Sequence, residues 1–148
     1  MIRTALVVGV LLVGGGAVMA QQDVLKHAQT YMKGNGKNAA AMAAMVKGEK
    51  PYDQATIDTA LAQFEDTAKA LPTLFPESIK GLTAEGDYNT SPKIWEDKAG
   101  FSEHIASFGK TVSDAKGQIK DLDSLKAALP VIGKQCGGCH ETFRIKKS

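Results

Sequence analysis

The sequence predicts an all-α protein, an antiparallel up-down-up-down four-helix bundle. Four stretches of the chain carry apolar residues at spacings of three and four, the pattern of helices that bury one face against each other. No stretch alternates apolar and polar residues for long enough to indicate a strand. Abundant Ala and Lys favour helix, and the apolar share of 43% is ordinary for a globular domain.

The first two helices are predicted over about residues 23–47 and from about Asp53, a good N-cap. The first apolar stripe consists of Val24, Ala28, Tyr31, Met32, Ala39, Met42 and Val46. The second consists of Ile57, Leu61, Phe64, Ala68 and Leu71. Gly34-Asn35-Gly36 interrupts the first stripe, and each glycine should cost about 1 kcal/mol relative to alanine.

The third helix is predicted to open at Ser91-Pro92 and to continue to about Ile119, and the fourth to begin near Asp121. The third stripe consists of Ile94, Phe101, Ile105, Phe108, Val112, Ala115 and Ile119. The fourth consists of Leu122, Leu125, Leu129, Ile132, Cys136, Cys139 and Phe143. Pro130 should kink the fourth helix. Residues 72–91 form a linker that either covers a ligand or simply connects distant helix ends.

Five residues near the C-terminus, Cys136-Gly137-Gly138-Cys139-His140, read C-x-x-C-H, the attachment sequence for c-type haem. Two thiols spaced three residues apart can each add to one haem vinyl group. The next residue then places an imidazole under the iron as the proximal ligand. Because the chain has no other cysteine, the motif predicts one covalently attached haem c.

Three other hypotheses use the same residues. A thioredoxin-like dithiol should follow a strand and open a helix, whereas this motif lies near the end of a helical pattern. A structural zinc site needs a fourth ligand, and His27 and His104 are single and far apart in sequence. A disulfide across two residues would stabilise the fold very little.

The N-terminus predicts export. Arg3 precedes an apolar run, Ala5 to Val13, and Val18-Met19-Ala20 resembles a cleavage site before Gln21. The run is shorter than a membrane span, so we expect a signal peptide over residues 1–20, a cytochrome-type domain over 21–148, a periplasmic location and no stable membrane anchor. Since Arg3 is the only charge lost, 17 of 18 basic and all 16 acidic side chains remain. No basic run suggests nucleic acid.

Helix geometry suggests the sixth iron ligand. In the predicted topology the first and fourth helices are antiparallel, so the level of His140 matches the first turns of the first helix, where Met32 lies on the apolar stripe. Met42 is about 15 Å further along the axis, and Met45 further still. His27 is off the face, and His104 is about 18 Å from the start of the third helix. Met32 could equally fill the core.

C-x-x-C-H at the end of a four-helix chain, followed by Phe143-Arg144, resembles the class II cytochromes c. Further similarity lies at Leu71-Pro72 and at residues 92–95, while residues 48–53 and 74–76 look most like the low-spin cytochrome c-556 branch. This resemblance implies that Met32 binds the iron and that Arg144 lies near the haem. The chain departs from the family at Ala28, where many members have an arginine that can pair with a haem propionate.

These predictions together indicate a periplasmic electron carrier that is not an enzyme. With His140 and Met32 both bound, the iron would have no open site, and His/Met ligation would favour reduced iron. Two alternatives remain: a five-coordinate protein that binds NO or CO, similar to cytochrome c prime, and a haem-free thiol protein. The sequence leaves open the redox protein partners and whether a homodimer forms through the first two helices.

Overall fold

The computed structural model of the protein describes residues 14–147. Of the predicted signal peptide, residues 1–13 lie outside the described range, and residues 14–20 form the start of the first helix. The described elements follow in the order α1 (Gly14–Val46), α2 (Gln54–Leu74), a turn of 3-10 helix (Glu77–Ile79), β1 (Tyr88–Thr90), α3 (Lys93–Glu96), α4 (Lys98–Gln118), α5 (Leu122–Phe143) and β2 (Arg144–Lys146). Within this range, no helix is both long and apolar enough to cross a membrane.

The four long helices form the predicted four-helix bundle. Helix α1 packs on α2, α2 on α4, α4 on α5 and α5 on α1, which closes the ring. The contact between α1 and α5 is the thinnest of these four. The chain-adjacent helix pairs α1–α2 and α4–α5 are therefore joined by an equally close contact between α2 and α4, and only the α1–α5 side of the ring is thin.

Apolar side chains fill the bundle in two clusters stacked along its axis. The first cluster consists of Met42, Met45, Ile57, Ala60, Leu61, Phe64, Phe108, Val112, Ala115, Ile119, Leu125 and Ile132. The second cluster consists of Leu25, Ala28, Leu71, Leu74, Ile79, Ala84, Ile94, Trp95, Phe101 and Phe143. Because all four long helices contribute to both clusters, the periodic stripes of the sequence translate into one continuous core.

N-terminal capping residues begin α2 and α5 at the positions that the sequence predicted. The Asp53 carboxylate accepts a hydrogen bond from the Thr56 backbone, and Asp121 accepts one from the backbone of Ser124. The Ser124 hydroxyl also lies 3.0 Å from the Asp121 backbone nitrogen, which completes a capping box. Pro130 lies inside α5, as predicted.

The prediction of a single third helix was wrong. The chain forms the short helix α3, breaks at Asp97 and starts again as α4. Asp97 explains the break, because its carboxylate accepts a hydrogen bond from the Gly100 backbone and so caps a new helix. Ile94 and Trp95 on α3 remain buried in the second cluster. The apolar pattern of the sequence therefore continues across the break between α3 and α4.

The connection between α2 and α3 is shorter and more structured than predicted. Helix α2 passes through Pro72 and ends at Leu74, which is buried in the second cluster. The rest of the connection holds the 3-10 turn and β1, and β1 pairs antiparallel with β2 at the C-terminus. The expectation of no strands was therefore wrong, because three-residue strands are too short to show an alternating pattern.

The N-terminal cap of α5, Asp121, makes the free energy of unfolding depend on pH. The side-chain and backbone hydrogen bonds from Ser124 lower the pKa of the Asp121 carboxyl. A carboxyl with a lowered folded-state pKa stabilises the fold above its unfolded pKa, and this contribution is lost as pH falls through the folded value. We expect Asp121→Ala to lower the thermal midpoint of unfolding at pH 7 and to have less effect in acid.

Asp121→Asn is the matched control, because asparagine keeps an acceptor for the Ser124 N–H but has no carboxyl to titrate. Circular dichroism melts at a series of pH values measure both variants. A deficit of Asp121→Ala that stayed constant down to pH 2 would show that the cap does not act through the ionised carboxylate.

Candidate functional site

The C-x-x-C-H motif lies in the last two turns of α5. Cys136 and Cys139 are one helical turn apart and so share a face of the helix. Both are half-buried free thiols. Cys136 packs against the first apolar cluster and Cys139 against the second. The motif therefore lies where the two clusters meet, with both sulfur atoms on the inner side of α5.

The electrostatics of the two thiols argue against a dithiol redox site. Burial raises the pKa of Cys136, and burial together with the neighbouring Cys136 raises the pKa of Cys139. Reactive thiols of the thioredoxin type have the opposite shift, which populates the thiolate. Among residues 14–147, no group of three or more His, Cys, Asp or Glu side chains could hold a metal ion.

His140 is half-buried and favours its neutral form. Burial lowers the pKa of the imidazole, and the positive charge of Arg144 lowers it further. A neutral imidazole has one unprotonated ring nitrogen, which is the form that binds a metal. The surroundings of His140 therefore suit an iron ligand rather than a surface cation.

Met32 lies on α1 at the end of the bundle where Cys139 lies on α5. Both residues are partly buried and pack against the second cluster. Met42 and Met45 are buried in the first cluster instead. The structure thus separates the three methionines as the sequence argument did, and only Met32 of the three shares a cluster with Cys139. It does so across α1 and α5, the thinnest contact of the bundle.

His104 lies beside the motif, contrary to the sequence estimate. Its ring centroid is 5.5 Å from that of Phe143 in an edge-to-face arrangement, and its Cε1 is 3.8 Å from where a Cβ on Gly138 would lie. The estimate counted from Pro92, but α4 begins only at Lys98, about 9 Å along the axis from His104. His104 is three residues after Phe101 and four before Phe108. This sequence spacing alone would have assigned His104 to the inner face of the helix.

The C-terminal end of α5 is held by aromatic packing. Phe143 is buried, and its ring centroid lies 5.0 Å from that of Phe101. Phe101 packs in turn edge-on against Phe75 at 5.8 Å. The Trp95 indole donates a hydrogen bond to the Phe75 carbonyl at 3.0 Å. Helices α3, α4 and α5 and the linker therefore meet around Phe143, three residues after His140.

Arg144 is exposed, but it is not simply a solvated charge. Its guanidinium carbon lies 4.0 Å from the centroid of the Tyr88 ring, a cation–π arrangement across the small sheet. Its backbone N–H donates to the carbonyl of His140. The sequence argument missed Tyr88, because only the pairing of β1 with β2 brings it to the end of α5.

Ala28 occupies the position at which many members of the resembled family have an arginine. Ala28 is buried in the second cluster, so this position carries no charge that could pair with a propionate. Lys26, two residues earlier, is exposed.

The residues that the structure brings together fit a haem. Two half-buried thiols on one helix face, a neutral imidazole and a thioether across a thin helix contact supply the attachment points and the nitrogen and sulfur donors that c-type haem iron takes. Among the described residues, no buried side-chain nitrogen or oxygen lacks a hydrogen-bond partner. The surroundings are therefore apolar and otherwise satisfied.

Comparisons with known proteins give the same picture. Residues 23–144 match the family model described as Cytochrome C'. The chain is 55% identical to cytochrome c-556 of Rhodopseudomonas palustris and 40% identical to cytochrome c' of the same organism, over 99% of each pair of chains. The solved structural model of oxidized R. palustris cytochrome c556 superposes with a TM-score of 0.76, covering 86% of this chain and 99% of that one.

Proposed function

This chain belongs to the cytochrome c' family, and we propose that it is a periplasmic electron carrier with His140 and Met32 as the axial ligands of its iron. The cofactor of the family is covalently attached haem c, and the chain carries one C-x-x-C-H motif to hold it. When bound, the haem supplies an iron centre that gains and loses one electron. Cys136 and Cys139 would form the two thioether bonds.

One observation carries the proposal: Met32 and Cys139 pack in the same apolar cluster from opposite sides of the α1–α5 contact. A ligand on each side of this contact leaves the iron without an open position. His/Met ligation also raises the reduction potential. The 55% identity to a cytochrome c-556, against 40% to a cytochrome c', supports placing the chain with the low-spin branch.

The protein's own residues keep the ligand set unchanged while an electron passes. The buried ring of Phe143 and the pairing of β1 with β2 fix the end of α5 that carries His140. The second cluster would place apolar side chains beside Met32, and burial favours the neutral imidazole by lowering the pKa of His140. Because the ligands stay in place, little rearrangement accompanies transfer. The proposed role makes no bonds, so we do not propose an enzyme.

Two observations support the proposal that the protein is exported: the sequence of residues 1–20 and one comparison with a relative. Cytochrome c-556 of R. palustris matches 99% of this chain, whereas its solved structure covers 86%. That smaller share is close to what remains of 148 residues when 20 are removed. Covalent haem attachment in bacteria takes place outside the cytoplasmic membrane, so a cleaved signal peptide and a periplasmic domain over residues 21–148 agree with the motif.

Attachment is tested by removing the thiols. Since each thioether needs one cysteine, Cys136→Ser/Cys139→Ser should leave haem that acidified acetone extracts completely. Each single variant keeps one bond and should retain haem in the protein fraction. Mass spectrometry of the denatured protein measures both results. Haem that remained covalently bound in the double variant would refute the assignment.

The axial assignment is tested by Met32→Ala. Removing the thioether leaves an apolar gap, in which water is a poor occupant. The iron should therefore become largely five-coordinate and high-spin, with a lower reduction potential and faster CO binding. Absorption spectra in both redox states, a redox titration and stopped-flow CO binding measure these changes.

Met42→Ala is the matched control, because Met42 lies ten residues further along α1 and is fully buried in the first cluster. It should lose about 2–5 kcal/mol of stability and keep the parent spectrum. A low-spin spectrum that survived Met32→Ala would refute the ligand. A high-spin, five-coordinate parent protein would favour the alternative, a protein that binds NO or CO.

A further inference from the structure

We propose that Asn35 and Thr67 are positioning residues, which fix the level of α1 along α2 and thereby hold Met32 opposite the motif on α5. The inference rests on the proposed function, because it explains how the distal ligand is placed. Neither residue is a member of the second cluster or of the motif, so their role would be to act through Met32.

Thr67 is a polar side chain inside an apolar interface. It is fully buried on α2, with 0% of its surface exposed. Its hydroxyl lies 2.8 Å from the Asn35 Oδ1 on α1 and 2.9 Å from the Gln63 carbonyl on its own helix. Among residues 14–147, the bond to Asn35 is the only side-chain hydrogen bond that joins α1 to α2.

Away from this level, α1 and α2 meet through the buried apolar side chains of the two clusters, so the hydrogen bond adds a directional contact between them. Burial of apolar surface is not directional, so neighbouring positions of α1 along α2 would bury similar areas. A hydrogen bond exists in only one of these positions, and a buried polar group without its partner is penalised. Single polar residues in apolar helix seams are known to specify register in this way.

The backbone of α1 comes close to α2 at the same level. A Cβ added to Gly34 would lie 3.4 Å from the Gln63 side chain, whereas one added to Gly36 would meet nothing within 4 Å. Gly34 thus faces the Gln63 side chain of α2 at ordinary van der Waals distance, whereas Gly36 faces away from it. The glycine-rich interruption of the first helix therefore coincides with its polar contact, and α1 continues through it unbroken.

The pair lies close enough to Met32 to control its level. Asn35 follows Met32 by three residues, about 4.5 Å along the helix axis. Because α1 packs much more extensively on α2 than on α5, the packing on α2 decides where α1 lies. A change in that level would carry Met32 with it, while His140 stays fixed by the packing of α5.

The test replaces the polar pair by apolar side chains of similar size in the haem-loaded protein. Asn35→Leu/Thr67→Val should keep or raise the thermal midpoint, because both partners of the hydrogen bond between the helices are replaced together. The same variant should show a larger high-spin fraction at 25 °C. Its CO association should be about tenfold faster, the change expected from weakening Met32 ligation by about one hydrogen bond.

Two variants serve as controls. Thr67→Ser keeps the hydroxyl and should restore the parent spectrum. Gly36→Ala changes α1 one residue from Asn35 without a new contact and should also keep it. If the double variant does not yield folded holoprotein, Thr67→Val alone is measured by its spectrum and CO rate. Its thermal midpoint should fall, because Asn35 is left without its partner.

A parent-like spectrum and CO rate in the apolar variants would overturn the inference, as would an equal change in Thr67→Ser. The outcome with Met32→Ala separates the two proposals. If Met32→Ala becomes high-spin while the apolar pair has no effect, only the positioning role fails. If Met32→Ala keeps a low-spin spectrum, the ligand assignment fails and the positioning role fails with it.

Discussion

The haem end of the bundle depends on how the last turns of α5 are held. A helix that ends in an attachment motif leaves its final carbonyl groups without helical partners. Here the Ser91 N–H donates to the Phe143 carbonyl, and the Arg144 N–H donates to that of His140. The buried ring of Phe143 and the strand pairing of β2 then anchor the same turn. These contacts fix the position of His140 relative to the rest of the bundle.

The electrostatics of the site follow from the same packing. The end of α5 is covered by apolar and aromatic side chains, so the uncharged form of each titratable group of the motif is favoured. Burial keeps the thiols protonated and the imidazole neutral through opposite pKa shifts. A neutral nitrogen donor in an apolar setting suits an iron that must keep its ligand in both oxidation states.

The sequence was sufficient for features that depend on local chemistry. The caps at Asp53 and Asp121 lie where they were predicted, because a carboxylate binds backbone groups only three residues away. One local feature was missed: the cap at Asp97 moved the start of α4 and so changed the estimated level of His104. Features that depend on distant partners were missed as well, since Tyr88 reached Arg144 only through strand pairing.

The thin contact between α1 and α5 connects the fold to the choice between electron transfer and gas binding. The proposed ligands lie on different helix pairs, with Met32 on α1–α2 and His140 on α4–α5. A bond from each ligand to one iron would close the bundle where protein packing is weakest. Without the bond to Met32, the same contact would border an open coordination position. On the proposed assignment, a bundle of this design could serve either function, and the side chain at the position of Met32, held at the right level, would decide which.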